Sequence, residues 1–395
     1  MPIEKMGRRT YWQGPGATVG SPPLGDANRG MCPWPCKAAV CNCGKARRAY
    51  PPERRAFPLL RAGSRRFPLW LAPGVTTLQA VVKRLVLASP RGYCAGVERA
   101  VETVERALEL HGAPVFVRKQ IVHNAHVVRE LEERGAVFVE NVSEVPSGAI
   151  VVFSAHGVSP AVQHSARFRG LRAIDATCPL VSKVHAEARH FARLGFTIFL
   201  IGHAGHEEVE GTTGEAPRSI LLVESVEQAE TVTPPQTERL AYLTQTTLSV
   251  DETNEVVRVL RSRFPKIEAP KKDDICYATT NRQRAVKRIL AAVDLLLVIG
   301  SRNSSNSNRL VDVARAGGVE AHLIDDETEI DEAWLEGVES VGLTSGASAP
   351  ESLVRRVVGW FRERGVSQVE ALDGAVEDVF FNLPREVRAN PVTRT

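Results

Sequence analysis

An α/β fold of parallel layers is what this sequence predicts, and two observations predict it. From about Val82 onward, short apolar runs rich in Val, Ile and Leu alternate with amphipathic stretches of helical period. There are also about as many such units as three small α/β domains require. The expected organisation is a poorly ordered extension over 1–80, α/β domains over 82–178, 179–272 and 273–366, and a tail over 367–395.

The strands are expected at Arg84–Ala88, Val115–Val117, Ala149–Phe153, Arg172–Asp175, Thr197–Ile201, Leu240–Leu243, Leu295–Ile299, Ala321–Ile324 and Ser340–Leu343. Most are near-continuous apolar runs, the pattern of strands covered by helices on both faces. Helices are expected at Val97–His111, Ala125–Arg134, Lys183–Leu194, Asp251–Phe264, Asn281–Ala292 and Ser352–Arg364, where apolar residues recur every three or four positions. The three thirds share no visible sequence identity, so any threefold repeat is structural only. The tail segment AVEDVFFNLPREV alternates apolar residues and is expected to add a strand or arm covering a domain face.

Composition is that of an ordinary soluble globular chain: 395 residues, 43% hydrophobic and 24% charged. The net charge of +4 hints at nucleic acid. That basic excess, however, sits at one end, since residues 1–80 hold thirteen Lys or Arg and only Glu4, Asp26 and Glu53 as acids. The remainder is mildly acidic, which argues against a groove tracking a polymer of phosphates. The longest apolar runs, such as Leu295–Ile299, are far too short to span a membrane. Seven cysteines, an odd number with no signal peptide, point to reduced thiols in a cytoplasmic compartment.

Within 1–80, Pro-, Gly- and Arg-rich stretches show no sustained period. An organelle transit peptide is Arg-rich and acid-poor, as this stretch is, but also Ser-rich, and only Ser21 and Ser64 occur here. An upstream start outside the working enzyme is therefore preferred to a plastid address. Cys32, Cys36, Cys41 and Cys43 lie close together there, yet their spacing matches no standard zinc finger or ribbon.

Three other cysteines carry the chemistry: Cys94 in SPRGYCAGVERA, Cys178 in AIDATCPLVSKVHAEA and Cys276 in DDICYATTNRQRA. Each stands just ahead of an expected helix. A thiol at a helix N-terminus meets unpaired N–H groups and the positive end of the dipole, which favours thiolate and an anionic cluster. A lone cysteine is more often a small buried hydrophobe, but these three lie in polar or Gly-containing loops. Three thiolates from three distant segments hold either a cubane cluster with one iron left open or a zinc ion with an open position.

Between the cysteines, loops dense in His, Thr, Ser and Asn follow the expected strands: QIVHN (His123), FSAHG (His156), IGHAGHEEVEG (His203, His206), LTQTTLS (Thr246), GSRNSSNSNR (Ser304, Ser305, Asn306) and TSGASAP (Ser348). Open α/β sheets bind ligands at the carboxyl ends of their strands. Hydroxyls, amides and imidazoles beside exposed N–H groups suit a compact polyanion such as diphosphate, and no Lys-bearing P-loop is present. Any one of these loops could be an ordinary turn or cap. The unbroken run of Ser and Asn from Asn303 to Asn308 exceeds what one cap uses. Glu208 is the carboxylate singled out as a proton-transfer acid, set against the plainer reading that Glu207, Glu208 and Glu210 form a solvated helix start. His111, His164, His190 and His322 sit in helical or strand contexts and read as surface or core residues.

Taken in order, PRGYCAGV, IVHN, SAHGVS, DATCPLV, GHAGHEEVEG, TQTTLSVD, DDICYATTNRQ, GSRNSSNSNRL and TSGASAPE resemble the LytB-type reductase family from about Val82 to Val387. Members convert 4-hydroxy-3-methylbut-2-enyl diphosphate to isopentenyl and dimethylallyl diphosphates, the last step of the non-mevalonate isoprenoid pathway. The resemblance implies three similar α/β domains arranged as a trefoil around a central cavity. It implies a [4Fe-4S] cluster held by Cys94, Cys178 and Cys276, with one open iron. His123, His156, His206, Ser304, Ser305, Asn306 and Ser348 would bind the diphosphate. Thr246 would lie near the substrate hydroxyl, and Glu208 would donate the proton. It further implies a ferredoxin or flavodoxin as electron donor. A hydro-lyase acting on a phosphorylated molecule, and an iron or redox sensor binding a partner protein, are the competing functions. The extension 1–80 and a short Gly214–Ile220 segment depart from the family pattern.

Overall fold

The structure is a computed structural model and describes residues 82–388. The extension and its four clustered cysteines lie outside the described residues. The first stretch holds β1 (Arg84–Leu87), α1 (Ala95–His111), β2 (Val115–Arg118), α2 (Ala125–Glu133), β3 (Ala136–Val139), β4 (Ile150–Phe153), α3 (Pro160–Phe168) and β5 (Arg172–Asp175). It is followed by α4 (Pro179–Arg193), β6 (Thr197–Ile201), α5 (Glu207–Glu215), β7 (Ile220–Val223), α6 (Val226–Thr231), β8 (Leu240–Thr244) and α7 (Val250–Arg263). The last contains α8 (Tyr277–Ile289), β9 (Leu295–Ile299), α9 (Ser305–Ala316), β10 (Glu320–Ile324), β11 (Ser340–Ser345), α10 (Glu351–Glu363) and β12 (Gln368–Ala371).

Three parallel sheets result, in the orders β3-β2-β4-β5, β7-β6-β8 and β10-β9-β11-β1-β12. The apolar strands take central places: LLLVI of β9 is wholly buried between β10 and β11. Each sheet is covered by helices whose apolar stripes complete its cores, as Leu353, Val354, Val357 and Phe361 of α10 do over β1, β9 and β11.

The contiguous boundary expected at 82–178 needs one correction. Strand β1 does not join the sheet of β2 to β5; it pairs with β11 on one side and β12 on the other. Leu85 and Leu87 pack into one core and Val86 into another, so the strand is buried on both faces as an interior strand of a helix-covered parallel sheet is. Of the strand or arm expected at the tail segment AVEDVFFNLPREV, the arm is what forms. The tail's strand is Gln368–Ala371, ahead of that segment, and residues 372–384 run as an extended arm. That arm returns to the first stretch, where Leu383 and Val387 pack into the core of α1, β2 and β4.

The carboxyl ends of strands from all three sheets open onto one cavity, lined by the segments that follow β1, β2, β4, β5, β6, β8, β9 and β11. This is where parallel α/β sheets bind ligands.

Candidate active site

Each of the three cysteines caps a helix: Cys94 precedes α1, Cys178 precedes α4 and Cys276 precedes α8. Their backbones are tied to neighbouring loops. Cys94 N–H donates to the Ala347 carbonyl at 3.3 Å, Cys178 N–H to Ala155 at 2.9 Å and Cys276 N–H to Thr246 at 3.1 Å. Each thiol is thereby set by a loop from another part of the chain. The Cys276 loop is pinned a second time by buried Asp274, which accepts from Thr244 N–H at 2.9 Å and from Lys183 Nζ at 2.7 Å.

The thiols crowd together. A side-chain carbon on Gly96 would lie 2.6 Å from Cys178 Sγ and 3.8 Å from Cys94 Sγ, so glycine alone fits between these two sulfurs. Burial pushes the Cys178 thiol up to about 12, with further upward pressure from Cys94 and Cys276, against weaker lowering by the N–H groups of Leu180 and Val181. Burial likewise raises Cys276 to about 11, with Cys94 adding and the Thr279 bonds opposing. The helix N-termini do act in the direction expected from the sequence, but desolvation and mutual repulsion win. Three converging thiols that resist ionisation together have the chemistry of a donor set that a multiply charged cation or cluster can deprotonate on binding.

Facing the thiols is Glu208 in the first turn of α5. It is 2% exposed, and both carboxylate oxygens are held by Thr246, through the backbone N–H at 2.7 Å and Oγ1 at 3.0 Å. Burial raises its pKa to about 7, only partly offset by those two bonds. The reading of Glu207, Glu208 and Glu210 as a solvated helix start therefore fails at Glu208.

Three imidazoles form the next wall. His123 and His156 stack with centroids 4.2 Å apart, and His206 meets them edge-on at 5.6 and 5.7 Å. Burial first, then the neighbouring imidazoles, pushes His123 down to about 2 and His206 to about 3. His206 Nδ1 accepts the Glu208 N–H at 3.2 Å, so its Nε2 is the nitrogen left for a ligand.

The Ser and Asn loop supplies the opposite wall. Ser304 caps α9 by accepting the Ser307 N–H, and Ser305 Oγ bonds Thr247 Oγ1 at 3.1 Å. Ser348 Oγ donates to the His123 carbonyl at 2.9 Å. Asn306 differs: it is 4% exposed, and neither its amide oxygen nor its amide nitrogen has a hydrogen-bond partner. A buried amide with both ends unpaired beside a cavity has hydrogen-bonding capacity for a polar ligand or water.

Cys94, Cys178, Cys276, His123, His156, His206, Glu208, Thr246, Ser304, Ser305, Asn306 and Ser348 thus all line one cavity, whose volume is about 750 Å³ including its open mouth. His203 turns away, its Nε2 3.2 Å from Arg309. Sequence reasoning passed over Thr247, Tyr277 and Phe381, which line the same cavity. Tyr277 follows Cys276 directly and could have been found from that adjacency, whereas Phe381 sits on the extended arm, which carries no such signal.

The LytB protein family model matches residues 85–362. A 4-hydroxy-3-methylbut-2-enyl diphosphate reductase of Acidothermus cellulolyticus is 62% identical over 320 residues, 79% of this chain and 94% of that protein. The enzyme of the same name from Nocardia farcinica is 59% identical over 317 residues, 80% of this chain and 94% of that protein. Among solved structures, the E-1-hydroxy-2-methyl-but-2-enyl-4-diphosphate reductase of Plasmodium falciparum superposes with a TM-score of 0.75 at 41% identity, covering 78% of this chain and 97% of that one. The chain belongs to the LytB family.

Proposed function

We propose that this chain reductively dehydroxylates 4-hydroxy-3-methylbut-2-enyl diphosphate, giving isopentenyl and dimethylallyl diphosphates and water from one substrate, two electrons and two protons. The observation that carries the proposal is the joint placement of three thiols, one buried carboxyl near neutrality and an unpaired Asn306 amide in a single cavity. Cys94, Cys178 and Cys276 would hold the iron–sulfur cluster. A [4Fe-4S] cluster bound there supplies electrons one at a time and Lewis acidity at the iron lacking a protein thiolate.

The remaining work falls to side chains. His123, His156 and His206, with Ser304, Ser305, Asn306 and Ser348, bind the diphosphate and fix its direction. The reacting end of the substrate then faces Glu208 and the thiols. Thr246 holds both oxygens of Glu208, which aims the carboxyl proton at the leaving hydroxyl. A pKa of about 7 leaves much of Glu208 protonated at neutral pH, so it acts as general acid as hydroxide departs as water. The apolar wall of Val97, Val122, Val181 and Phe381 limits water near the allylic carbons. A ferredoxin or flavodoxin is the class of electron donor proposed.

The test is anaerobic purification with iron and sulfide analysis, followed by assay of that diphosphate with a one-electron reductant. Both C5 diphosphates are expected, with no turnover when the reductant is omitted. A hydro-lyase would act without it, and a full cluster with no reduction of this substrate would overturn the proposal.

A further inference from the structure

The motif HEEVEG places two carboxylates side by side, and the fold sends them in opposite directions. Glu208 turns into the cavity, while Glu207 does not line it. The Glu207 side chain is 11% exposed and points behind His156, with Oε2 3.5 Å from His156 Nδ1 and 3.3 Å from Ser154 Oγ, which donates to it. His156 Nδ1 is buried and makes no hydrogen bond, and the Glu207 carboxylate faces it at ion-pair distance. The nearby cation Lys119 is engaged elsewhere, by Glu210 at 3.1 Å.

We propose that Glu207 is a positioning residue for anion binding: its carboxylate faces His156 Nδ1 from behind and orients the ring so that Nε2 meets the substrate's diphosphate, the bound ring carrying a proton on each nitrogen, one toward each anion. A carboxylate facing one ring nitrogen biases which nitrogen faces the ligand, as outer carboxylates do for metal-bound histidines. Stacked against His123 and edge-on to His206, His156 has the Glu207 carboxylate 3.5 Å from its Nδ1, and a ring nitrogen of His123 also lies within 4.8 Å of that carboxylate. A wall of wholly neutral imidazoles would offer a diphosphate hydrogen bonds without charge, and charge-assisted bonds are about twice as strong. Glu207 itself stays ionised there. Burial works to raise its pKa, but the pairing with His156, aided by Lys119 and Ser154, leaves it below the usual carboxylate range.

The inference rests on the reading of this cavity as a diphosphate site, and the test separates the two. Inorganic diphosphate is titrated calorimetrically into the cluster-loaded enzyme, and steady-state kinetics are measured with the allylic diphosphate. Glu207→Gln is expected to weaken diphosphate binding and raise KM by about tenfold each, the loss of one charge-assisted contact, while kcat falls less than twofold. Glu207→Asp, which keeps the charge, is expected to recover part of the loss. Ser154→Ala, which only loosens the carboxylate, is expected to give a smaller rise in KM and stands in should Glu207→Gln fail to fold. Unchanged diphosphate affinity in Glu207→Gln, a kcat loss as deep as that of a Glu208 variant, or a divalent-cation requirement that vanishes with Glu207 would overturn the inference. Failure of the wild type to reduce the allylic diphosphate, with its diphosphate binding still dependent on Glu207, would overturn the reading of the reaction alone.

Discussion

Glu208 and Thr246 form a two-point clasp: one carboxylate oxygen takes the Thr246 N–H at 2.7 Å and the other takes its hydroxyl at 3.0 Å. The two residues come from different strand ends of one sheet, after β6 and after β8, and the clasp orients the carboxyl without neutralising it. Glu208→Gln preserves the shape and most of the hydrogen bonding but removes the transferable proton. Iron content is expected to stay at the wild-type level while kcat falls by about 100-fold or more, the usual worth of a positioned acid. Wild-type turnover in Glu208→Gln, measured in the anaerobic assay, would remove Glu208 from the mechanism.

The same carboxyl predicts a pH profile. Burial raises Glu208 to about 7, so its protonated fraction falls as pH rises through that value. Turnover is expected to decline about tenfold per pH unit on the alkaline side, and that limb is expected to be missing in Glu208→Gln. For stability the sign follows from linkage. A carboxyl whose folded pKa lies above its ordinary 4.5 binds its proton more tightly when folded, so its contribution weakens as pH rises from about 4.5 to about 7. Glu207, held below 4.5, contributes in the opposite sense: its stabilisation is present above 4.5 and is lost as pH falls through its folded pKa.

Much of this site was legible in the sequence because its chemistry is concentrated in loops of unusual composition. The central strands were legible because burial on both faces leaves long apolar runs, as in LLLVI of β9. The elements that escaped have physical reasons to be faint. Strands β3 and β7 are short edge strands with partly exposed residues. Helix α5, EEVEGTTGE, carries two glycines and weak amphipathicity, and α9 opens on SNSN, which reads as loop until Ser304 is seen capping it. The return of β1 to the third sheet and the reach of Phe381 into the cavity are long-range packing outcomes that no local pattern encodes.

Gly96 is expected to be intolerant of any side chain. A methyl there would sit 2.6 Å from Cys178 Sγ, inside van der Waals contact with an atom whose position the proposed ligand set requires. Gly96→Ala is expected to keep its far-ultraviolet circular dichroism, since alanine favours the first turn of α1. Anaerobically reconstituted iron is expected to fall to less than about half, because overpacking moves the thiols apart. Full iron loading in Gly96→Ala would show that the cysteines need no such close approach.

Arg282 joins three segments around the cavity floor. Fully buried, it donates to the Gly92 carbonyl at 2.7 Å, two residues before Cys94, and to the Glu377 carboxylate of the arm at 3.1 and 3.2 Å. Truncation in Arg282→Ala leaves Glu377 without its cation and removes a donor from the Gly92, Tyr93 and Ala278 carbonyls. The expected loss is about 3–5 kcal/mol by denaturant unfolding. Lys83→Ala, which breaks an exposed pair with Glu339, is expected to cost less than about 1 kcal/mol. Equal effects at the two positions would mean that the arm is not held through Arg282.

Asn306 separates stability from binding. Its amide is buried with neither end paired, and a polar group left so costs about 1–3 kcal/mol in the ligand-free protein. A methyl in its place removes that cost, set against some lost packing beside Gly346, whose added carbon would lie 3.5 Å from the amide nitrogen. Asn306→Ala is therefore expected to leave the melting temperature of the ligand-free enzyme unchanged or higher. The same change withdraws a donor and an acceptor from the cavity, so inorganic diphosphate is expected to bind about tenfold more weakly. The two measurements move in opposite directions only if the unpaired amide is held ready for a ligand. A drop in melting temperature with unchanged diphosphate affinity would instead make Asn306 a packing residue.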